Sequence, residues 1–266
     1  FCGAPVVLNT LINAKPELKD GIDHDVSAMT AGAAPPAAVI AGMENMGFSI
    51  THVYGLTETA GAITILMPED HDPEKGKLRS CGKALNSVEI KVIDEEGNEV
   101  KTGEIGEVIS KSPLNMKGYW NRPDATEDAI KDGWFYSGDA GFFDDDGYLY
   151  IHDRVKDMIV SGGENIYPAE VENALMSHPE IADAAVIGVP DDKWGESVKG
   201  FVVLQPNSSL DETEIISYTR TQIAGYKCPK TINFIEALPR NPSGKILRRE
   251  LREPFWEGKD RMVSGN

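Results

Sequence analysis

The fold is indicated first by residues 49–58, which read Ser-Ile-Thr-His-Val-Tyr-Gly-Leu-Thr-Glu. Ser49 to Tyr54 has the apolar and β-branched character of a buried strand, and Gly55 then opens a turn. Upstream, a helix is predicted from Pro35 to Met46, and Gly47 ends it. A helix that leads into a strand and a glycine turn is typical of an α/β layer.

In the middle of the chain, apolar residues recur with a period of two, which is typical of β-strands. Apolar and polar residues alternate from Val88 to Val92, a turn is predicted at 95–98, and Gly106 to Ser110 follows as a second strand. A further hairpin is indicated by the acidic run 144–146 and Gly147. From about Gly76 to Ile151 we therefore expect a small β-barrel or meander.

The sequence pattern changes again after Arg154. Helices and strands alternate there: a helix with Pro168 in its first turn, strands over 184–189 and 200–204, and a helix with Ser209 as its N-cap. The pattern predicts an α+β domain, with the boundary at Asp153 to Asp157. We thus divide the chain into residues 1–153, with an α/β part over 1–75 and a β-rich part over 76–153, and residues 154–266.

Composition excludes several classes of protein. The 266 residues include 26 basic and 43 acidic side chains, a net charge of −17 that repels nucleic acid. No apolar run approaches the roughly 18 residues of a membrane helix. The three cysteines are widely spaced, which favours a reducing cytoplasm over a disulfide framework or a zinc site. Residues 226–252 carry a local charge of +5, which predicts either a solvated helical face or an anchor for a phosphate-bearing ligand.

Two segments of the first region combine groups suited to a nucleotide. Tyr54 to Glu58 offers an aromatic ring for a base, a hydroxyl for a phosphate and a carboxylate for a hard cation. Asp139, after the aromatic run 134–136, offers a carboxylate for ribose hydroxyls. The alternative interpretations are a strand-end turn with a cap and an ordinary turn aspartate.

Two further segments follow in the third region. Asp153 to Ile159 alternates charged and apolar residues at the domain boundary, and its alternative is a solvated edge strand. Residues 241–245, Asn-Pro-Ser-Gly-Lys, form a predicted loop that brings Lys245 forward. A loop lysine of this kind is otherwise simply exposed to solvent.

Taken in order, these four segments resemble the acyl-adenylate-forming superfamily of acyl-CoA synthetases, peptide-synthetase adenylation domains and beetle luciferases. The resemblance covers essentially the whole chain. It implies the C-terminal part of a large adenylate-forming domain, followed by a small mobile α+β domain. It also implies roles for individual residues. At the nucleotide, Tyr54 and Gly55 lie at the adenine, Asp139 and Arg154 hold the ribose, and Thr57 and Glu58 serve the ATP phosphates and Mg²⁺. The adenine and acyl pocket is flanked by Gly32, Ala33, Ala34 and Pro35, while Lys245 neutralises charge during adenylation and Lys156 is the hinge.

The subfamily is narrowed by the loop at Gly162 and Gly163. It resembles the loop of CoA ligases that lines the tunnel for the thin pantetheine arm, where glycines leave room. The resemblance therefore implies a ligase that uses ATP, Mg²⁺ and coenzyme A to activate a carboxylic acid. A short- or medium-chain fatty acid is the substrate class we expect. Asp153 and Lys156 depart from the commoner family residues, Gly and Asp, but both occur in fatty-acid-type members, which disfavours an aromatic acid.

One family feature has no match in this sequence. The Ser/Thr/Gly-rich phosphate-binding loop that ends in Pro-Lys-Gly is not found upstream of Tyr54. We therefore expect the chain to be the C-terminal half of a longer enzyme, and inactive by itself. Two alternatives stay open: a catalytically incomplete nucleotide-binding fragment, and an adenylation domain that feeds a carrier protein.

Overall fold

The computed structural model describes residues 1–3, 5–15, 24–32, 37–71, 76–241 and 244–257. The chain divides into two units, Phe1–Ile151 and His152–Asn266. The division falls within a strand, Leu149–Arg154. The assignment of residues 1–153 and 154–266 to two domains of the family stays a prediction.

The first sheet of unit 1 is an α/β layer. Its strands lie in the order β1-β2-β3-β4-β5, parallel as far as β3 and antiparallel beyond it. Helices follow β1 and β2, because parallel neighbours need crossover connections. The elements are β1 (Cys2–Gly3), α1 (Pro5–Ile12), β2 (Val26–Thr30), α2 (Ala37–Asn45), β3 (Phe48–Leu56), β4 (Gly61–Leu66) and β5 (Lys83–Ala84). Leu8, Ile40, Met43 and Ile50 are fully buried, so the predicted apolar face of α2 lies in the core.

The second sheet of unit 1 forms the β-rich region. Its order is β10-β9-β7-β6, and β8 pairs with β9. The elements are β6 (Glu89–Ile93), β7 (Gly106–Lys111), α3 (Pro123–Ala129), β8 (Ile130–Lys131), β9 (Trp134–Phe143) and β10 (Leu149–Arg154). Val92, Val108 and Leu149 form its core, against which Tyr54 also packs. The β3 side chain Tyr54 therefore lies where the two sheets of unit 1 meet.

Unit 2 is built on a third sheet, in the order β12-β11-β14-β13, with β15 parallel to β14. The elements are β11 (Ile159–Ser161), β12 (Glu164–Ile166), α4 (Pro168–Met176), β13 (Ile181–Asp191), β14 (Gly195–Leu204), α5 (Glu212–Gln222), β15 (Thr231–Phe234) and α6 (Arg248–Trp256). Strand β13 is apolar on both faces because both are covered. Ala184 and Val186 face a core with α4 and α5, while Ala185 and Ile187 face a second core with α6. The predicted combination of α/β and α+β architecture is confirmed.

The N-cap of α5 is Asp211, so the prediction of Ser209 is wrong. The Asp211 carboxylate accepts the Glu214 amide, and the Glu214 carboxylate accepts the Asp211 amide, both at 2.9 Å. Ser209 and Asp211 are each followed three positions later by an acidic residue, so the local sequence pattern fits either of them as the N-cap. Starting the helix after Asp211 places Leu210 and Ile215 together in the core as a hydrophobic staple, which decides the register.

Among the described residues, no helix is both long and apolar enough to cross a membrane.

Candidate functional site

The turn that follows β3 is held by a buried threonine. β3 ends at Leu56, and a 3-10 turn of 3 residues follows. The Thr59 hydroxyl accepts the Leu56 amide at 3.0 Å, and the Gly61 carbonyl accepts from that hydroxyl at 2.8 Å. Thr59 therefore fixes the turn, which leaves Thr57 exposed and Glu58 half-buried.

Gly55 lies within β3, so the prediction that it opens the turn is wrong: the turn begins at Thr57. Gly55 is required instead by a close backbone approach between β3 and β4. A Cβ at this position would lie 1.8 Å from the Gly61 carbonyl oxygen, so β3 and β4 would have to separate. We expect Gly55→Ala to lower the free energy of unfolding by about 3 kcal/mol, the upper range for overpacking. Urea unfolding followed by circular dichroism measures this. The control is Gly225→Ala, whose new Cβ meets only Arg220 Nη1 at 3.6 Å. Equal unfolding midpoints for the two variants would contradict the prediction.

Tyr54 and Asp139, 85 residues apart, are brought into direct contact. The Tyr54 hydroxyl donates to Asp139 Oδ2 at 2.8 Å, and Asp139 is 7% exposed. Burial, and next the charge of Asp139, raise the pKa of Tyr54. The phenol therefore stays protonated at neutral pH and acts as the donor that orients the carboxylate.

Glu58 has a partner that the sequence analysis missed. The Tyr119 hydroxyl donates to Glu58 Oε1 at 2.9 Å, and the Met116 amide donates to the Glu58 carbonyl at 2.6 Å. The loop after β7 therefore packs against the turn. The only sequence signal was the aromatic pair Tyr119 and Trp120, which does not by itself indicate a partner 61 positions away.

The residues around Glu58 provide one carboxylate for a cation. Within the described part of the chain, no group of three or more His, Cys, Asp or Glu side chains could hold a metal ion. Mg²⁺ is commonly held by one or two carboxylates together with substrate phosphates and water. A single half-buried Glu58 fits that kind of site, with the nucleotide supplying further oxygen ligands.

The predicted adenine-flanking segment is described only at its first residue. Gly32 follows β2, is exposed and has a φ of +92°. Ala33, Ala34 and Pro35 lie outside the described residues.

The proposed hinge segment begins unit 2. Arg154 ends β10 and is exposed, and Lys156 is exposed within a 3-10 turn over Val155–Asp157. The Asp153 carboxylate accepts the Arg154 amide at 2.7 Å and the Ala169 amide at 2.9 Å. Tyr167 is the N-cap residue of α4, but its side chain makes no capping hydrogen bond. The Asp153 carboxylate, from a distant position in the chain, accepts an amide of the first helical turn instead.

Gly162 and Gly163 form the turn between β11 and β12. Both have positive φ, +62° and +87°, which favours glycine at both positions. The Gly162 amide donates to the Trp194 carbonyl at 2.9 Å, and a Cβ on Gly162 would lie 2.7 Å from Trp194 Cε3. The turn is therefore both left-handed and closely packed on one side.

Lys245 makes two hydrogen bonds to Asn241 through its own main-chain atoms. Its amide donates to Asn241 Oδ1 and its carbonyl accepts the Asn241 amide, both at 2.9 Å. The Arg240 guanidinium donates to the Gly244 carbonyl at 2.6 Å. The Lys245 side chain is exposed and has no ion-pair partner among the described residues.

Most of the basic segment 226–252 is paired within unit 2. Neither predicted alternative, a solvated face or a phosphate anchor, describes the segment as a whole. Five of its seven basic side chains contact carboxylates at 2.7 to 2.9 Å. The pairs are Lys227 with Glu170, Lys230 with Asp191, Arg240 with Asp183, Arg248 with Glu172, and Arg252 with Asp157.

Two family models match the chain. The AMP-binding enzyme model matches residues 1–120, and the AMP-binding enzyme C-terminal domain model matches residues 170–245. The chain belongs to the AMP-binding enzyme family. The first match contains the segment Tyr54–Glu58, and the second contains most of unit 2, including Lys245.

This AMP-binding enzyme chain spans about half the length of the curated relatives it matches. It is 46% identical over 212 residues to fatty acid–[acyl-carrier-protein] ligase ScoC of Streptomyces coeruleorubidus, covering 80% of this chain and 41% of the relative. It is 44% identical over 252 residues to long-chain-fatty-acid–CoA ligase FadD13 of Mycobacterium tuberculosis, covering 94% and 49%.

This AMP-binding enzyme chain is also similar in structure to a solved relative, again over about half of that relative's length. O-succinylbenzoate CoA synthetase from Bacillus subtilis in complex with an acyl-adenylate intermediate matches with a TM-score of 0.81 and 38% identity, over 94% of this chain and 50% of that chain. The same synthetase in complex with ATP and magnesium ion matches with a TM-score of 0.83 and 36% identity, over the same shares.

Proposed function

We propose that the protein containing this chain is an acid–thiol ligase. It uses ATP to convert a carboxylic acid into acyl-AMP and pyrophosphate, and the CoA thiol then attacks the acyl carbon and releases AMP. The observation that carries the proposal is the hydrogen bond between Tyr54 and Asp139, because it joins two segments of the resemblance in one place. The relatives with CoA-ligase names support the second step.

In the first half-reaction, the residues of unit 1 bind the nucleotide. The Tyr54 ring lies at the adenine, the Asp139 carboxylate accepts hydroxyls of the ribose, and Thr57 donates to the phosphates. Glu58 holds Mg²⁺, which when bound offsets phosphate charge. Tyr119 orients the Glu58 carboxylate for this role.

Unit 2 contributes the remaining groups. Arg154 donates to the ribose, and Lys245 neutralises charge as the carboxylate attacks the α-phosphorus, since phosphoryl-type transfer depends mainly on positioning and electrostatics. In the second half-reaction, rotation about Lys156 places the Gly162 and Gly163 turn along the pantetheine arm of CoA. These roles follow the family assignment of residues 1–153 and 154–266.

The second candidate function is transfer of the acyl group to a carrier protein. It is favoured by one observation, the 46% identity to a fatty acid–[acyl-carrier-protein] ligase. Acyl transfer from acyl-AMP to CoA, and separately to a phosphopantetheinyl carrier protein, distinguishes the two. Efficient thioester formation with the carrier alone would replace CoA in the proposal.

The third candidate is a nucleotide-binding fragment without catalysis. ATP–pyrophosphate exchange on residues 1–266 and on the complete protein tests it, and we expect exchange from the complete protein only, because backbone amides of a glycine-rich loop form the usual phosphate cradle. The same assay across a panel of carboxylic acids identifies the substrate, for which we propose a short- or medium-chain fatty acid. We also propose a cytoplasmic location, from the pattern of cysteine usage.

Removing the Tyr54 hydroxyl tests the nucleotide site directly. We expect Tyr54→Phe in the complete protein to weaken AMP binding roughly 10-fold, because Asp139 loses a hydrogen bond to a buried charge. Isothermal titration calorimetry measures the affinity. The control is Tyr150→Phe, which removes a hydroxyl whose contact with the Gly76 carbonyl is 3.5 Å long. An unchanged affinity for Tyr54→Phe would contradict the assignment of Asp139.

A further inference from the structure

Strand β9 bulges at the residue that the proposed function assigns to ribose binding. Glu107 of β7 pairs with Ala140, and Ile109 pairs with Tyr136, so Val108 alone faces three residues of β9. Those three are Ser137, Gly138 and Asp139. A bulge bends a strand locally and changes the direction of a side chain, and bulges are frequent beside functional sites.

Side chains replace the missing ladder contacts of this bulge. Glu107 Oε1 accepts the Gly138 amide at 2.9 Å. The Ser137 hydroxyl donates to the Val108 carbonyl at 2.5 Å and accepts the Asp139 amide at 3.0 Å. The amides of Gly138 and Asp139 therefore each have a side-chain acceptor. The conformation of the bulge depends on the two side chains that supply these acceptors, Glu107 and Ser137.

The environment of the Glu107 carboxylate disfavours its ionised form. Burial raises its pKa, and the nearby charge of Asp139 raises it further, while the Gly138 amide and the charge of Lys131 lower it. A second carboxylate near Asp139 opposes the ionised form of both. Among the described residues, the Glu107 carboxylate contacts the bulge through its hydrogen bond with the Gly138 amide, and Gly138 has a φ of +69°.

We propose that Glu107 is a positioning residue for the nucleotide ribose: its carboxylate oxygen holds the Gly138 amide, fixes the β9 bulge, and thereby aims the Asp139 carboxylate at the vicinal hydroxyls. This inference rests on the proposed function, in which Asp139 binds the ribose. Tyr54 holds the far end of the same side chain through Oδ2. The ribose acceptor is thus fixed at its backbone from β7 and at its carboxylate from β3.

The test compares AMP with 2′,3′-dideoxyadenosine monophosphate, which lacks both hydroxyls. Binding to the complete protein is measured by calorimetry for the wild type, Glu107→Gln and Glu107→Leu. Glutamine keeps an acceptor oxygen and loses the charge, whereas leucine loses the acceptor. We expect Glu107→Gln to stay within about 3-fold of the wild type for AMP, and Glu107→Leu to bind AMP roughly 10-fold more weakly, because the acceptor of a part-buried amide is lost. Binding of the dideoxy nucleotide should be the same for all three proteins.

Each result decides between distinct statements. A wild type that does not prefer AMP over the dideoxy nucleotide overturns the ribose role of Asp139 and this inference with it. A wild type that prefers AMP, together with a Glu107→Leu protein that keeps the full preference, overturns the role of Glu107 alone. Equal losses for both nucleotides, or an equal loss in Glu107→Gln, also overturn it. If the leucine variant does not fold, Glu107→Ala takes its place, and the ratio of the two affinities does not depend on the folded fraction.

Discussion

Replacing Lys245 by alanine in the complete enzyme is expected to slow acyl-AMP formation by roughly 10² to 10³, comparable to the loss of one preorganised donor. Thioester formation from supplied acyl-AMP should be unchanged, because the lysine is proposed to stabilise charge in the adenylation step only. The two hydrogen bonds to Asn241 should persist in the variant, since they use the main chain of residue 245. ATP–pyrophosphate exchange and single-turnover thioester formation measure the two half-reactions.

The matched control for Lys245 is Arg249→Ala. Arg249 is an exposed cation of the same basic segment, at the start of α6, and no ion pair of the described residues includes it. We expect this variant to behave like the wild type in both half-reactions. Equal damage from Lys245→Ala to both steps, or an equal effect of Arg249→Ala, would show that Lys245 acts through general charge or structure.

Replacing Lys156 by proline is expected to separate the half-reactions in a different way. Lys156 lies in the middle of a 3-10 turn, just after β10, at the position proposed as the hinge. Proline fixes φ near −65° and disfavours helical backbone at Val155, so the segment should be restricted to one orientation. If that orientation is the adenylating one, acyl-AMP should still form, while transfer to CoA slows by roughly 10²-fold or more.

The control for the hinge is Lys156→Ala. Alanine removes the same side chain but keeps the backbone dihedral freedom, so both half-reactions should stay within a few-fold of the wild type. Folding of both variants is checked by circular dichroism before the rates are compared. A parallel loss of both steps in Lys156→Pro, or no loss, would place the hinge elsewhere in the chain.

Local signals predicted much of the secondary structure. The strand over residues 49–54, the apolar faces of α2 and α4, and the turns at Gly97 and Gly147 depend on the period of apolar residues or on positive φ. Such features involve residues within about one turn or one hairpin of each other. A single sequence therefore contains the information that they need.

The N-cap of α5 shows where local information becomes insufficient. Ser209 and Asp211 both have an acidic residue three positions later, and the two registers are nearly equivalent in capping chemistry. The structure selects Asp211 because this register buries Leu210 and Ile215 in one core. The choice was made by packing against the sheet of unit 2.

By itself, the sequence determined the family, the fold class and the candidate residues, because motif order and apolar periodicity are properties of the chain alone. Only the tertiary structure decided which side chains meet: Tyr54 with Asp139, Glu58 with Tyr119, and Glu107 with the Gly138 amide. It also decided that most of the basic segment is neutralised by carboxylates. The physical reason is that hydrogen bonds and ion pairs act over about 3 Å in space, whereas these partners are 31 to 85 residues apart in the chain and are brought together only when sheets pair and pack.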